Sequence, residues 1–210
     1  MNERLAELVR HPLIWRAAGS PVDVETVPTG FRRLDERLPG GGWPQATLIE
    51  ILIPGPGIGE LQLLMPALRA LAAPGRQPAR WVAWLAPPCL PYAPALAAAG
   101  LDPARMLVVR PRAGVDALWA MEQSLRSGAC AAALGWAGPV VDYHLLRRLK
   151  LAAGEGGSLA FLFRPVGCSG EASPATLRLQ LEPRAGGGLD VAIIKCRGAA
   201  PTCVVGLLGP

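Results

Sequence analysis

The sequence predicts an α/β fold: a mostly parallel sheet flanked by helices, with a C-terminal antiparallel meander and an N-terminal helical arm. Three observations predict it. Short apolar runs alternate with helical segments between residues 46 and 163, the pattern that builds a parallel sheet with helices packed on its faces. Three more apolar runs follow at 176–182, 189–195 and 202–208, joined by Gly/Pro turns, as consecutive hairpins require. Ahead of both lies a helical stripe of Leu5, Leu8, Val9, Leu13 and Ile14, interrupted by Pro12.

Composition narrows the class. The chain has 210 residues, of which 51% are apolar and 18% charged; intrinsic disorder needs the opposite balance. That length suits one core domain, 27–210, behind an arm and linker at 1–26. The 25 glycines and 22 prolines follow no collagen-like period and instead promise many turns. The net charge of +5 comes from cations that are arginine except at Lys150 and Lys195, and this balance permits nucleic-acid contact. The five cysteines are widely spaced and none forms a CxxC pair, so neither a disulfide framework nor a metal site is expected. No apolar run of spanning length is free of Pro or Arg, and Glu3 and Glu7 spoil a signal peptide; the expected location is the cytoplasm, away from membranes.

Along the chain, 19–29 reads as an extended linker, and Phe31, Leu34 and Leu38 as a short helical stripe ending at Pro39-Gly40-Gly41-Gly42. Strands are predicted at 46–53, 80–86, 105–110, 130–136 and 158–163. Helices are predicted at 60–75, with Pro66 inside, at 94–100, at 114–128 with Gly128 as C-cap, and at 140–157. Trp81 and Trp84 are three apart on one strand, so they point to opposite faces.

The informative junction is strand 46–53, the loop Pro54-Gly55-Pro56-Gly57-Ile58-Gly59, and the helix that follows. Strand, glycine turn and helix N-terminus form a phosphate-binding geometry. A working phosphate loop follows its last glycine with Lys and Ser/Thr, which neutralise phosphate and hold Mg²⁺. Here those places hold Glu60 and Leu61. An anion repels a triphosphate, so Gly55, Gly57, Gly59, Glu60 and Leu61 read as a vestigial loop, and no cofactor is expected.

The approach to that loop resembles the RecA superfamily: Thr29-Gly30, Leu34-Asp35, Leu38, Gly40-Gly41-Gly42 and Pro44, then Leu48-Ile49-Glu50-Ile51. Within it, HPLIWRA (11–17), GIGEL (57–61), PYAPALAAAGLD (91–102), ALWAMEQSLRSGAC (117–130) and FLFRP (161–165) resemble the ImuA family, also labelled SulA-like. The resemblance implies a RecA-like core over about 27–208. It also implies a damage-inducible role in translesion synthesis. The partners would be an ImuB-like Y-family polymerase homologue and a DnaE-class error-prone polymerase, with RecA as a further candidate. The catalytic glutamate would fall at Pro87-Pro88 and the metal-binding aspartate near Leu134-Gly135-Trp136. Without these groups ATP hydrolysis is not expected.

The expected function is therefore a non-catalytic accessory protein of the mutagenesis machinery. Two alternatives stand beside it: an ATP-dependent protein binding single-stranded DNA, and an SOS cell-division inhibitor that binds a tubulin-like GTPase. Arg147, Arg148, Lys150 and Arg164 are the candidate contacts for weak DNA binding, against a plain solvated helix face for the first three. Leu5, Leu8, Ile14 and Trp15 are the candidate partner-docking residues, against a helix folded on its own core.

Overall fold

A computed structural model describes residues 25–73, 80–111 and 114–208. The N-terminal arm, with Leu5, Leu8, Ile14 and Trp15, lies outside the described residues. Among the described residues ten strands form: β1 (Thr26–Val27), β2 (Trp43–Pro44), β3 (Thr47–Ile53), β4 (Trp81–Leu85), β5 (Met106–Val109), β6 (Cys130–Trp136), β7 (Leu159–Pro165), β8 (Leu177–Pro183), β9 (Leu189–Cys196) and β10 (Thr202–Leu208). The helices are α1 (Arg32–Asp35), α2 (Glu60–Leu71), α3 (Ala93–Ala98), α4 (Gly114–Arg126) and α5 (Tyr143–Glu155).

Strands β3 to β10 make one eight-stranded sheet, ordered β10-β9-β8-β3-β7-β6-β4-β5. From β8 to β5 every pairing is parallel; β9 pairs antiparallel with β8, and β10 with β9. Strand β3 is buried along all seven residues, as a central strand covered on both faces must be. The segment expected as a linker contributes β1, which pairs antiparallel with β2. Gly42 is buried there, and a Cβ on it would meet the carbonyl oxygen of Val27.

Residue alternation sends the side chains into two cores. On one face Ile49, Ile51, Phe161, Phe163, Val82 and Trp84 pack with Leu34 of α1 and Leu63, Leu64 and Leu68 of α2, and the same cluster extends under Leu177, Leu179, Val191 and Ile193. On the other face Ala83, Ala133, Ala160 and Leu162 pack under Leu118, Met121 and Leu125 of α4 and Leu146 and Leu149 of α5. Small residues on that sheet face let the two helices sit close. This second core holds no side chain from β8, β9 or β10.

The expected RecA-like core with flanking helices is corrected on this point. The sheet is mixed and largely parallel, and among the described residues the helices are few: only α2, α4 and α5 exceed six residues. The last third of the described chain folds as the β8–β9–β10 meander, whose antiparallel strands need no crossover helices between them. Trp84 is buried while Trp81 is exposed on the same strand. Among the described residues no helix is long and apolar enough to cross a membrane.

One arginine gathers the helix ends at the edge from which β4, β6 and β7 start. The Arg80 guanidinium donates to the carbonyl oxygens of Gly128, Cys130, Gly156 and Gly157 and to Ser158 Oγ. A cation at two helix C-termini offsets both dipoles and satisfies carbonyls that no helical N–H reaches. The chain closes tightly here: a Cβ on Gly156 would collide with the Leu125 carbonyl oxygen. Gly156→Ala is expected to destabilise by about 1–3 kcal/mol, as overpacking does. Gly138→Ala, in open space, serves as the neutral control, and a urea denaturation series compares the two.

Candidate functional site

The carboxyl ends of parallel strands are where open α/β sheets hold ligands, and the glycine loop at 54–59 lies there. Gly57 and Gly59 adopt φ of +88° and +105°, conformations open to glycine at little cost. Gly59 caps α2, and Glu60 is its first residue. The Glu60 carboxylate folds back and accepts from Gly57 N at 2.9 and 3.1 Å and from Ile58 N at 3.0 Å. It is buried. The loop amides and the helix dipole thus hold an anion, as such a terminus favours, and the anion is the chain's own side chain. Leu61 packs against the apolar core.

Beside this loop is a slot of about 170 Å³ lined by Ile53, Pro54, Pro56, Pro88, Trp136 and Phe163. Its floor is aromatic: Trp136 stacks on Phe163 at 4.8 Å and on Trp84 at 5.9 Å. Ordinary ligand pockets run to about 300–1,000 Å³, and the slot is smaller than these. The vestigial residues Gly55, Gly57, Gly59, Glu60 and Leu61 therefore come together as one loop, filled from within.

On the opposite face of the sheet lies a buried ionic cluster. Glu50 sits mid-strand in β3, flanked by β7 and β8. Arg164 Nη1 donates to Glu50 Oε1 at 3.0 Å, and Arg178 Nε lies 2.8 Å from Glu50 Oε2. Arg164 Nη2 donates to Glu171 Oε2 at 2.7 Å and to the Pro139 carbonyl at 2.9 Å. Arg178 donates to the carbonyls of Cys168, Ser169 and Glu171. Burial alone pulls the Arg164 guanidinium down, but its bonds to Glu171 and Glu50 raise it above its ordinary value. Glu50→Ala would leave two buried guanidinium groups without their shared counter-charge, at an expected cost of about 3–5 kcal/mol. Glu171→Gln, at a side chain 46% exposed, is expected to cost under about 1 kcal/mol; chemical denaturation of both variants tests the contrast.

This geometry corrects one nucleic-acid candidate and qualifies others. Arg164 is fully buried and spent on carboxylates, so it reaches no external phosphate. Arg148 donates to Glu122 Oε2 at 2.5 Å, and Arg126 pairs with the same carboxylate. Lys150 Nζ donates to the Pro174 carbonyl. Arg147 is exposed on α5. Sequence reasoning missed Glu50 and Arg178 as partners; the signal was a carboxylate inside an otherwise apolar strand run, which must find a cation when buried.

The structure so far defines an α/β protein whose phosphate-type loop is closed by its own glutamate. Comparison with known proteins makes the assignment specific. The family model "Cell division inhibitor SulA" matches residues 53–160, just over half of the chain, and the protein belongs to that family. The cell division inhibitor SulA of Edwardsiella piscicida is 34% identical over 122 residues, covering 58% of this chain and 70% of that protein. That of Photorhabdus laumondii is 31% identical over 120 residues, covering 57% and 65%. A crystal structure of SulA from Pseudomonas aeruginosa aligns with 28% identity and a TM-score of 0.45, covering 56% of this chain and 97% of that one.

These matches correct the ImuA assignment. Three of the phrases that suggested it, at 57–61, 91–102 and 117–130, lie inside the matched span 53–160, so they fit the SulA family as well. The translesion role falls with the assignment, as do the ImuB-like, DnaE-class and RecA partners.

Proposed function

We propose that the protein is a cytoplasmic, damage-inducible inhibitor of cell division that acts by binding the tubulin-like GTPase of the division ring. The observation that carries the proposal is the family match over residues 53–160, which holds β4, β5 and β6 with α2, α4 and α5. The relatives that share this segment are named for that activity. A contact mechanism also suits the loop chemistry. With Glu60 seated on the loop amides, a triphosphate would have to displace a carboxylate already satisfied there and meet its charge.

Overexpression is expected to give long, undivided cells, and the purified chain is expected to capture the division GTPase directly. Normal septation together with no capture would overturn the proposal. The protein is further expected to lack ATPase activity, and Glu60→Lys alone is expected not to create it. The positions that would supply the catalytic carboxylates hold Pro87, Pro88 and Leu134-Gly135-Trp136. Mg²⁺-dependent phosphate release above background from that variant would contradict this account.

A further inference from the structure

The two lysines of the chain, 45 positions apart in sequence, converge on one turn. Lys150 Nζ, from α5, donates to the Pro174 carbonyl at 2.9 Å. Lys195 Nζ, from β9, donates to the neighbouring Ser173 carbonyl at 2.6 Å. Each ammonium keeps donors beyond the one it spends there. Arg197 follows two residues after Lys195, and Arg147 lies one helical turn before Lys150, on the same side of α5.

The strand register explains how Lys195 arrives. Lys195 pairs with Arg178, while Leu179 pairs with Ile193, so β9 carries one extra residue at that point. Directly paired residues share a face. The irregularity therefore puts Lys195 on the face of Arg178 and Glu50 rather than in the apolar core. No side chain of β8 to β10 joins the second core on this face, where the segment 166–171 covers Arg178 and, among the described residues, no α-helix lies over Gln180 and Ala192.

The cluster has no anion of its own. Among the described residues none of Lys150, Lys195, Arg197 and Arg147 is ion-paired with a carboxylate. The nearby Glu50 is committed to Arg164 and Arg178. Burial pulls Lys150 below its usual basicity, and Lys195 and Arg197 lower it further. Lys195 is lowered by burial and by Arg178, with Glu50 opposing. Like charges are thus held close at an energetic cost that an external anion would remove.

We propose that Lys150, Lys195 and Arg197, with Arg147 at the margin, form a binding site for the carboxylates of an acidic protein segment lying on this face of β8 and β9. Charge complementarity selects the occupant, and the face selects its shape. Gln180 and Ala192, half-buried and directly paired there, offer a flat strip that an extended chain can cover. At the far end of the strip Glu182 is exposed, while Asp190 opposite it is ion-paired with Arg184; the Glu182 carboxylate repels acid there and favours the lysine end. The site does not rest on the division-inhibitor reading: Lys195, Arg197 and the strip on β8 and β9 lie beyond the matched span, while Arg147 and Lys150 lie inside it.

The test uses the full chain and an acetylated hexaglutamate peptide, with binding read from backbone amide shifts and from fluorescence anisotropy of the labelled peptide. Saturable binding is expected, with shifts centred on 173–176 and 195–197. Affinity is expected to fall about tenfold or more in Lys195→Met and in the exposed-site variant Arg197→Gln. It should fall again between about 50 and 300 mM salt, and Arg33→Gln, an exposed cation elsewhere, should leave it unchanged. No saturation at millimolar peptide, or affinity equal in all variants, would overturn the proposal. Inorganic phosphate binding as well as the peptide would reduce the cluster to an adventitious ion only. A single-stranded oligothymidine binding there more tightly than the peptide would replace the acidic protein segment with a nucleic acid and overturn it too.

Discussion

Glu50 is a carboxylate on the central strand of the sheet, fully buried, and an ionised carboxylate in that position is tolerated only when paired and hydrogen-bonded. Its two arginines come from the flanking strands, Arg164 on β7 and Arg178 on β8. Other donors of the two guanidinium groups find carbonyls in loops: Pro139 after β6, and Cys168, Ser169 and Glu171 after β7. One buried charge thus fixes two loops at the carboxyl end of the sheet. It also sets the boundary between the parallel strands and the meander, because β8 is at once Glu50's neighbour and the partner of β9. Removing the charge would loosen strands and loops together.

The glycine loop on the other face follows a similar rule at smaller scale. A strand running into a helix through two left-handed glycines leaves backbone amides pointing at one spot. Those amides need an acceptor, and an adjacent glutamate at the first helical position reaches them without any ligand. The loop keeps its shape because the shape is satisfied internally. The aromatic stack of Trp84, Trp136 and Phe163 fills the neighbouring space. Geometry that elsewhere serves phosphate here serves the folding of β3 onto α2.

Periodicity made the long elements legible: α4 and α5 run Gly114–Arg126 and Tyr143–Glu155 within the predicted 114–128 and 140–157. The meander strands were equally plain, since alternation and turn residues are local signals. Glu50, Arg164 and Arg178 could not be joined that way, because the Glu50–Arg164 bond spans 114 positions and no local pattern encodes such a distance. The family assignment went astray for a physical reason too. Thr29 N donates to Asp35 Oδ1, Thr29 Oγ1 caps Phe31 N, and Gly30, at φ +86°, lies hard against Pro66. The motif that suggested a recombinase core reports a turn and a helix start. Residues that build a turn are shared by every chain that needs the turn, whatever its function.

A protein that works by contact needs exposed apolar surface, and its placement here agrees with the family match. Ten large hydrophobic side chains are exposed among the described residues, and all but Val205 lie within 53–160. Leu90, Tyr92, Val140 and Tyr143 belong to the segments that follow β4 and β6, at the carboxyl end of the sheet. Val140 is 94% exposed and adjoins Pro139, whose carbonyl Arg164 holds from beneath. Isolated exposed apolar residues are ordinary on any protein surface. Here three lie on loops and Tyr143 opens α5, all at one end of the sheet, and the loop at Pro139 is held by a buried arginine; such preorganisation lowers the entropic cost of association. The ionic cluster that stabilises the sheet and the surface that a partner would meet are therefore parts of one arrangement.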